Sequence, residues 1–141
     1  MRIVPVLLAG AFALASCGKS ETPPTDGASD DAAPAAVVAP TAAMGEQIFK
    51  RCVACHTVDK GGHNGIGPNL HGVVGAAVAS KSDFSYSGAM KAKGGVWDAA
   101  TLETYLEAPM KAVPGTRMAF AGVIDAPDRK ALILYLEAQS K

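Results

Sequence analysis

The sequence predicts a small all-α domain of three to four short helices joined by long loops, preceded by an export signal and an extended connector. Three observations carry this reading. Helix-start signals followed by helix-spaced apolar residues recur from residue 41 on, no alternating apolar pattern long enough for a sheet appears, and residues 18–40 lack the apolar periodicity to bury a core. The chain has 141 residues and no net formal charge, so nothing in its charge points to nucleic acid as a partner.

The first segment, residues 1–16, reads as a signal peptide: Met1-Arg2, an apolar run from Ile3 to Ala15, then small residues. A bilayer-spanning helix needs roughly 17 to 25 apolar residues, so the run suits a removable signal better than a permanent anchor. Two processing sites overlap. Ala13-Leu14-Ala15 suits ordinary signal peptidase, whereas Leu14-Ala15-Ser16-Cys17 resembles the lipobox of bacterial lipoproteins. Of the three cysteines, Cys52 and Cys55 form a pair, and Cys17 falls where lipidation needs it, which favours a lipidated Cys17 and attachment to a membrane through several acyl chains.

Residues 17–40 hold Pro23, Pro24, Pro34 and Pro40 among Ala, Ser, Thr and Asp, with no apolar periodicity, and read as a flexible linker. From residue 18 on, this linker has Lys19 against Glu21, Asp26, Asp30 and Asp31, while residues 41–141 hold eleven basic and nine acidic residues. Such a tether has a root-mean-square span of about 25 Å.

Within the domain, residues 41–141, Thr41 is placed to cap a first helix running to about Cys52. A second covers Asp98 to Glu107 and is stopped by Pro109. A closing helix starts at Asp125 with Pro127 and carries Leu132, Tyr135 and Leu136 at helical spacing. About 100 residues with so few helices are thinly supplied with core, so something else must fill the middle.

Cys52-Val53-Ala54-Cys55-His56 supplies that element, because C-x-x-C-H is the attachment signature of c-type haem. On a turn of helix the two thiols reach the two vinyl groups of one porphyrin, and the adjacent imidazole meets the iron from one side. A zinc half-site would need further ligands, yet no second cysteine pair exists, and a redox dithiol would normally sit among thioredoxin-like strands. One motif implies one covalent haem c.

The sixth ligand is expected to be Met118, on the Pro/Gly-shaped loop Pro114-Gly115-Thr116-Arg117-Met118-Ala119-Phe120. Its soft sulfur favours reduced iron and closes the second axial position, as outer-sphere electron transfer requires. Met110 precedes the loop, Met44 and Met90 lie in helical contexts that suit packing, and His63 and His71 sit in loops. Val53 and Thr57 are expected, from position, to shield the iron.

In its motifs the domain resembles the class I cytochromes c of mitochondrial and bacterial type. The likeness rests on the segments 52–57, 65–72, 84–86, 94–97, 102–109 and 114–122 in that order. It implies that the Pro68 carbonyl accepts a hydrogen bond from His56, that Tyr86 and Trp97 donate to a buried haem propionate, and that Tyr105 and Thr116 lie beside the Met118 sulfur. Gly45 and Phe49 resemble the crossing of the first and last helices. Two positions depart from the family: Ala76 stands where an arginine near the inner propionate is frequent, and Met90 where asparagine is common. The family's lysine ring is reduced to Lys50, Lys60, Lys81, Lys91, Lys93, Lys111 and Arg117, with Lys50, Lys111 and Arg117 as the candidate docking face.

These readings lead to an electron carrier, not an enzyme. The expected protein is a monomer, lipid-anchored on the periplasmic side of a bacterial membrane, passing single electrons between a cytochrome bc complex and a terminal oxidase. A gas- or peroxide-binding haem protein and a tethered subunit of a larger complex are the competing readings.

Overall fold

A computed structural model describes residues 38–141; the signal peptide, Cys17 and most of the linker lie outside the described residues. Five helices follow in order: α1 (Ala42–Phe49), α2 (Gly88–Lys93), α3 (Ala99–Glu107), α4 (Pro109–Ala112) and α5 (Ala126–Ala138). The expected caps are in place. The Thr41 hydroxyl accepts from the Met44 amide at 3.2 Å, the Asp98 carboxylate from Thr101 at 2.7 Å, and the Asp125 carboxylate from Asp128 at 2.9 Å.

Two boundaries differ from the sequence expectation. The first helix ends at Phe49, because the chain tightens into three-residue turns from Lys50 onward, with the Cys52 amide bonded to the Phe49 carbonyl at 2.7 Å. Pro109 does end α3, but it also starts α4, where its missing N–H costs nothing at a first helical position. The short α2 is capped by Ser87, whose hydroxyl accepts from Met90 at 3.1 Å.

The first and last helices pack against each other, and Gly45 is the reason they come so close. A Cβ there would strike the Ala131 carbonyl and approach the Tyr135 Cβ to 2.7 Å. One turn on, the Phe49 and Tyr135 rings meet with centroids 5.2 Å apart. Arg129 joins α5 to α3 through a 2.9 Å ion pair with Glu103, and also donates to the Val123 and Ile124 carbonyls at 2.8 and 2.7 Å. Buried Phe49, Leu102, Leu106, Val123, Leu132 and Leu136 form the core beside these contacts. Sheet structure among the described residues amounts to one isolated bridge between Ala77 and Val96. No helix among them is long and apolar enough to cross a membrane.

Candidate functional site

The helices frame a cavity of about 440 Å³ whose wall is mostly apolar, and Cys52, Cys55, His56 and Met118 all line it. Sequence reasoning placed these four together from two segments far apart in the chain. The geometry of each segment explains how they meet.

On the first segment, the amides of Cys55 and His56 both bond to the Cys52 carbonyl at 3.0 Å, which winds Cys52 to His56 into one tight turn and sets both thiols on the cavity. Burial pushes the Cys52 thiol above its ordinary pKa; the Arg51 cation opposes this and Cys55 adds to it. The His56 ring is fixed by a 2.7 Å contact between Nδ1 and the Pro68 carbonyl. A carbonyl only accepts, so Nδ1 carries the proton and Nε2 keeps its lone pair for a ligand. Burial lowers the His56 pKa, with the Pro68 bond opposing, and so favours the neutral imidazole that metal binding requires.

The loop opposite that turn is shaped to admit the ring. Gly67 lies against the imidazole so closely that a Cβ would come within 2.7 Å of both ring nitrogens, and its amide bonds to the Cys55 carbonyl at 2.8 Å. Asn69 is the residue that sequence reasoning missed here. It is 6% exposed; its amide group donates to the Thr57 hydroxyl at 2.7 Å and to the Asp59 carbonyl at 3.0 Å, and its oxygen accepts from the His71 amide at 3.0 Å. Asn64 then ties this loop to the segment leading to Tyr86, donating to the Asp83 carboxylate at 2.9 Å.

Met118 comes from the loop after α4. The Tyr105 hydroxyl donates to its sulfur at 3.3 Å and lies 3.5 Å from the Thr116 hydroxyl, so the three polar atoms gather as the resemblance implied. Tyr105 is buried, and burial raises its pKa, with the Thr116 contact opposing; the phenol stays protonated and donates. Arg51 latches the two segments. Its guanidinium donates to the Gly122 carbonyl at 3.2 Å and lies 5.5 Å from the centre of the Phe120 ring.

Trp97 is buried, packs on Tyr105 with centroids 4.9 Å apart, and lines the cavity together with Tyr86. Tyr86 meets Phe84 edge-on at 4.9 Å, and burial raises its pKa. Met90, 8% exposed, also lines the wall, whereas Met110 is 60% exposed. The shielding role expected for Val53 and Thr57 is a correction: neither lines the cavity. Val53 sits on the outer side of its turn, 59% exposed, and the Thr57 hydroxyl is spent on the His63 carbonyl at 2.6 Å and on Asn69.

An apolar cavity between helices that offers nitrogen and sulfur donors from separate segments defines a class, the small helical proteins that enclose one prosthetic group. The comparisons with known proteins make the class specific. The family model for cytochrome c matches residues 42–140. Cytochrome c of Gibberella zeae is 50% identical over 98 residues, covering 69% of this chain and 92% of that protein. Cytochrome c2 of Rhodomicrobium vannielii is 46% identical over 95 residues, covering 67% of this chain and 76% of that protein. Among solved structures, cytochrome cH from Methylobacterium extorquens matches with a TM-score of 0.65 at 42% identity, covering 70% of this chain and 98% of that one. The chain belongs to the cytochrome c family.

That family carries electrons rather than transforming substrates, its members act as redox partners of other proteins, and its cofactor is one covalent haem c. The residues fit that group. Two thiols stand on one turn at the wall of a largely apolar cavity, with a neutral imidazole and a soft thioether as donors.

Proposed function

We propose that the protein is a membrane-tethered, mono-haem electron carrier that passes single electrons between respiratory-chain complexes. The observation that carries this reading is the shared cavity of His56 and Met118, the ring held through Nδ1 by the Pro68 carbonyl and the sulfur held by the Tyr105 hydroxyl. Haem c supplies a one-electron Fe(III)/Fe(II) couple. Cys52 and Cys55 would hold the porphyrin by thioether links, and His56 and Met118 would be the donors to its iron. With both donors fixed in advance, little has to move when the charge changes, and no position is left for a substrate.

The remaining residues support this electrostatically. Pro68 orients His56 and makes it a better donor. Tyr105 withdraws density from the Met118 sulfur through its hydroxyl, with Thr116 beside it. Tyr86 and Trp97 would serve the carboxylate edge of the porphyrin. Lys50, Lys111 and Arg117 are exposed and would face acidic partners such as a cytochrome bc complex and a terminal oxidase, with modest steering because the domain's charges nearly balance. The apolar run at the start of the chain and the lipobox-like Leu14-Ala15-Ser16-Cys17 support a carrier on the periplasmic side of a bacterial membrane, working as a monomer at the end of the 17–40 linker.

The test uses the full-length protein isolated from the host membrane. Mass spectrometry of its N-terminus is expected to find acyl chains on Cys17; a mature chain beginning without them refutes the anchor. Mixed with respiratory membranes, the protein is expected to be reduced by a quinol-driven bc complex and reoxidised by the oxidase. Rapid carbon monoxide binding by the reduced protein at neutral pH, without such turnover, would instead indicate a gas-binding protein.

A further inference from the structure

Three cations line the cavity, Arg51, Lys81 and Arg117, and no aspartate or glutamate does so among the described residues. Each of the three is held by a backbone carbonyl. Arg51 donates to Gly122, Arg117 to Ser85, and the Lys81 ammonium to His71 at 2.9 Å. Among the described residues no carboxylate lies within 4.0 Å of any of them, the one ion pair there being that of Arg129 with Glu103. The cavity therefore gathers positive charge that its own side chains leave uncompensated.

Lys81 differs from the other two in where it stands. Arg51 and Arg117 are exposed and flank the segments that carry Cys52 and Met118, whereas Lys81 is half-buried on the opposite segment. Ser80, Lys81, Phe84 and Tyr86 line the wall there, and Trp97 joins them. The Lys81 carbonyl accepts from the Phe84 amide at 3.3 Å, closing a turn that brings Lys81 and Tyr86 together, and the Lys81 backbone opposes the burial that raises the Tyr86 pKa. One of three ammonium protons is used on His71, which leaves two donors on a half-buried charge. Ala76 and Met90 line the same cavity and carry neither charge nor hydrogen-bond donor on their side chains.

A porphyrin of the haem type carries two carboxylates, and burying either without a cation or several donors is costly. Resting on the haem reading, we propose that Lys81 is the charge partner of a haem carboxylate in this chain, and that it sets the reduction potential by holding positive charge at the cavity wall. With Ala76 and Met90 offering no donor, the lysine of the 80–86 segment is the half-buried cation on that wall. Positive charge close to the group favours the reduced iron, which has one positive charge fewer.

The experiment compares Lys81→Gln and Lys81→Arg with the parent holoprotein by spectroelectrochemical titration, with haem content measured separately. At a fixed ambient potential, the ferrous-to-ferric ratio of Lys81→Gln is expected to fall roughly threefold to tenfold, the order of magnitude for one charge acting across a partly solvated cavity. Lys81→Arg is expected to stay within about twofold of the parent by the same argument. Should Lys81→Gln load poorly, Lys81→Met reads the same loss of charge. A fully loaded neutral variant with an unchanged ratio overturns the proposal, as does an arginine variant that falls as far as the glutamine one. A colourless parent protein sinks the haem reading itself, which keeps the two failures distinct.

Discussion

Replacing Gly67 by alanine tests how the histidine is held. The glycine's backbone is not in the left-handed region, so the only obstacle to a side chain is space. An added Cβ would sit 2.7 Å from each ring nitrogen of His56, where an unstrained contact needs about 3.5 Å. The ring must retreat by the better part of an ångström, and it cannot do so while keeping its 2.7 Å bond to the Pro68 carbonyl. Loss of that bond costs about 1 kcal/mol and the overpacking a further 1 to 3 kcal/mol. For a domain of about 100 residues a total of about 2 kcal/mol or more lowers the melting temperature by at least about 8 °C. The assay is thermal unfolding of the holoprotein followed in the visible band, with the reduction potential recorded alongside. A variant that melts where the parent does, with an unchanged potential, refutes the claim that Gly67 admits and fixes the imidazole.

Two further outcomes follow from the same geometry. Gly45→Ala would stabilise an ordinary helix by about 1 kcal/mol, but here the new methyl meets the α5 backbone, so a lower melting temperature is expected and a higher one would refute the close crossing. The Asp98 carboxyl is held below its usual range by the Thr101 amide and, secondly, by the Thr101 side chain. A depressed folded pKa gives stability that is present above the unfolded value and is lost as pH falls through the folded one. In melts from pH 7 to pH 2 the advantage of the parent over Asp98→Asn should therefore shrink below about pH 4, near the unfolded carboxyl value; an advantage that is flat with pH contradicts the assignment.

What was legible in the sequence was whatever is encoded by side-chain spacing. The Cys52–His56 turn, the caps at Thr41, Asp98 and Asp125, and the Leu132/Leu136 stripe needed no tertiary information, and each is found where expected. The Tyr105–Met118 contact came only through family resemblance, because nothing local says that a tyrosine on α3 reaches a sulfur thirteen residues on. Asn64, Asn69 and Arg51 escaped notice, and Lys81 was read only as one member of a lysine ring, for a common reason. Most of their partners are backbone carbonyls and amides, which every residue carries, so no residue type marks the receiving end of the bond. Val53 and Thr57 were misjudged because proximity in sequence to His56 says nothing about which side of a tight turn faces the cavity.

The proposed carrier depends on one porphyrin fastened through Cys52 and Cys55 and coordinated by His56 and Met118. Intact-mass analysis joined to the near-red absorption of the ferric protein reads both parts at once, in the parent and in Met118→Ala. Expected are a mass increment of one haem that survives denaturation in both proteins, and a sulfur-to-iron charge-transfer band present in the parent and missing from the variant. A parent chain of unmodified mass, or a variant that keeps the band, would contradict the proposal.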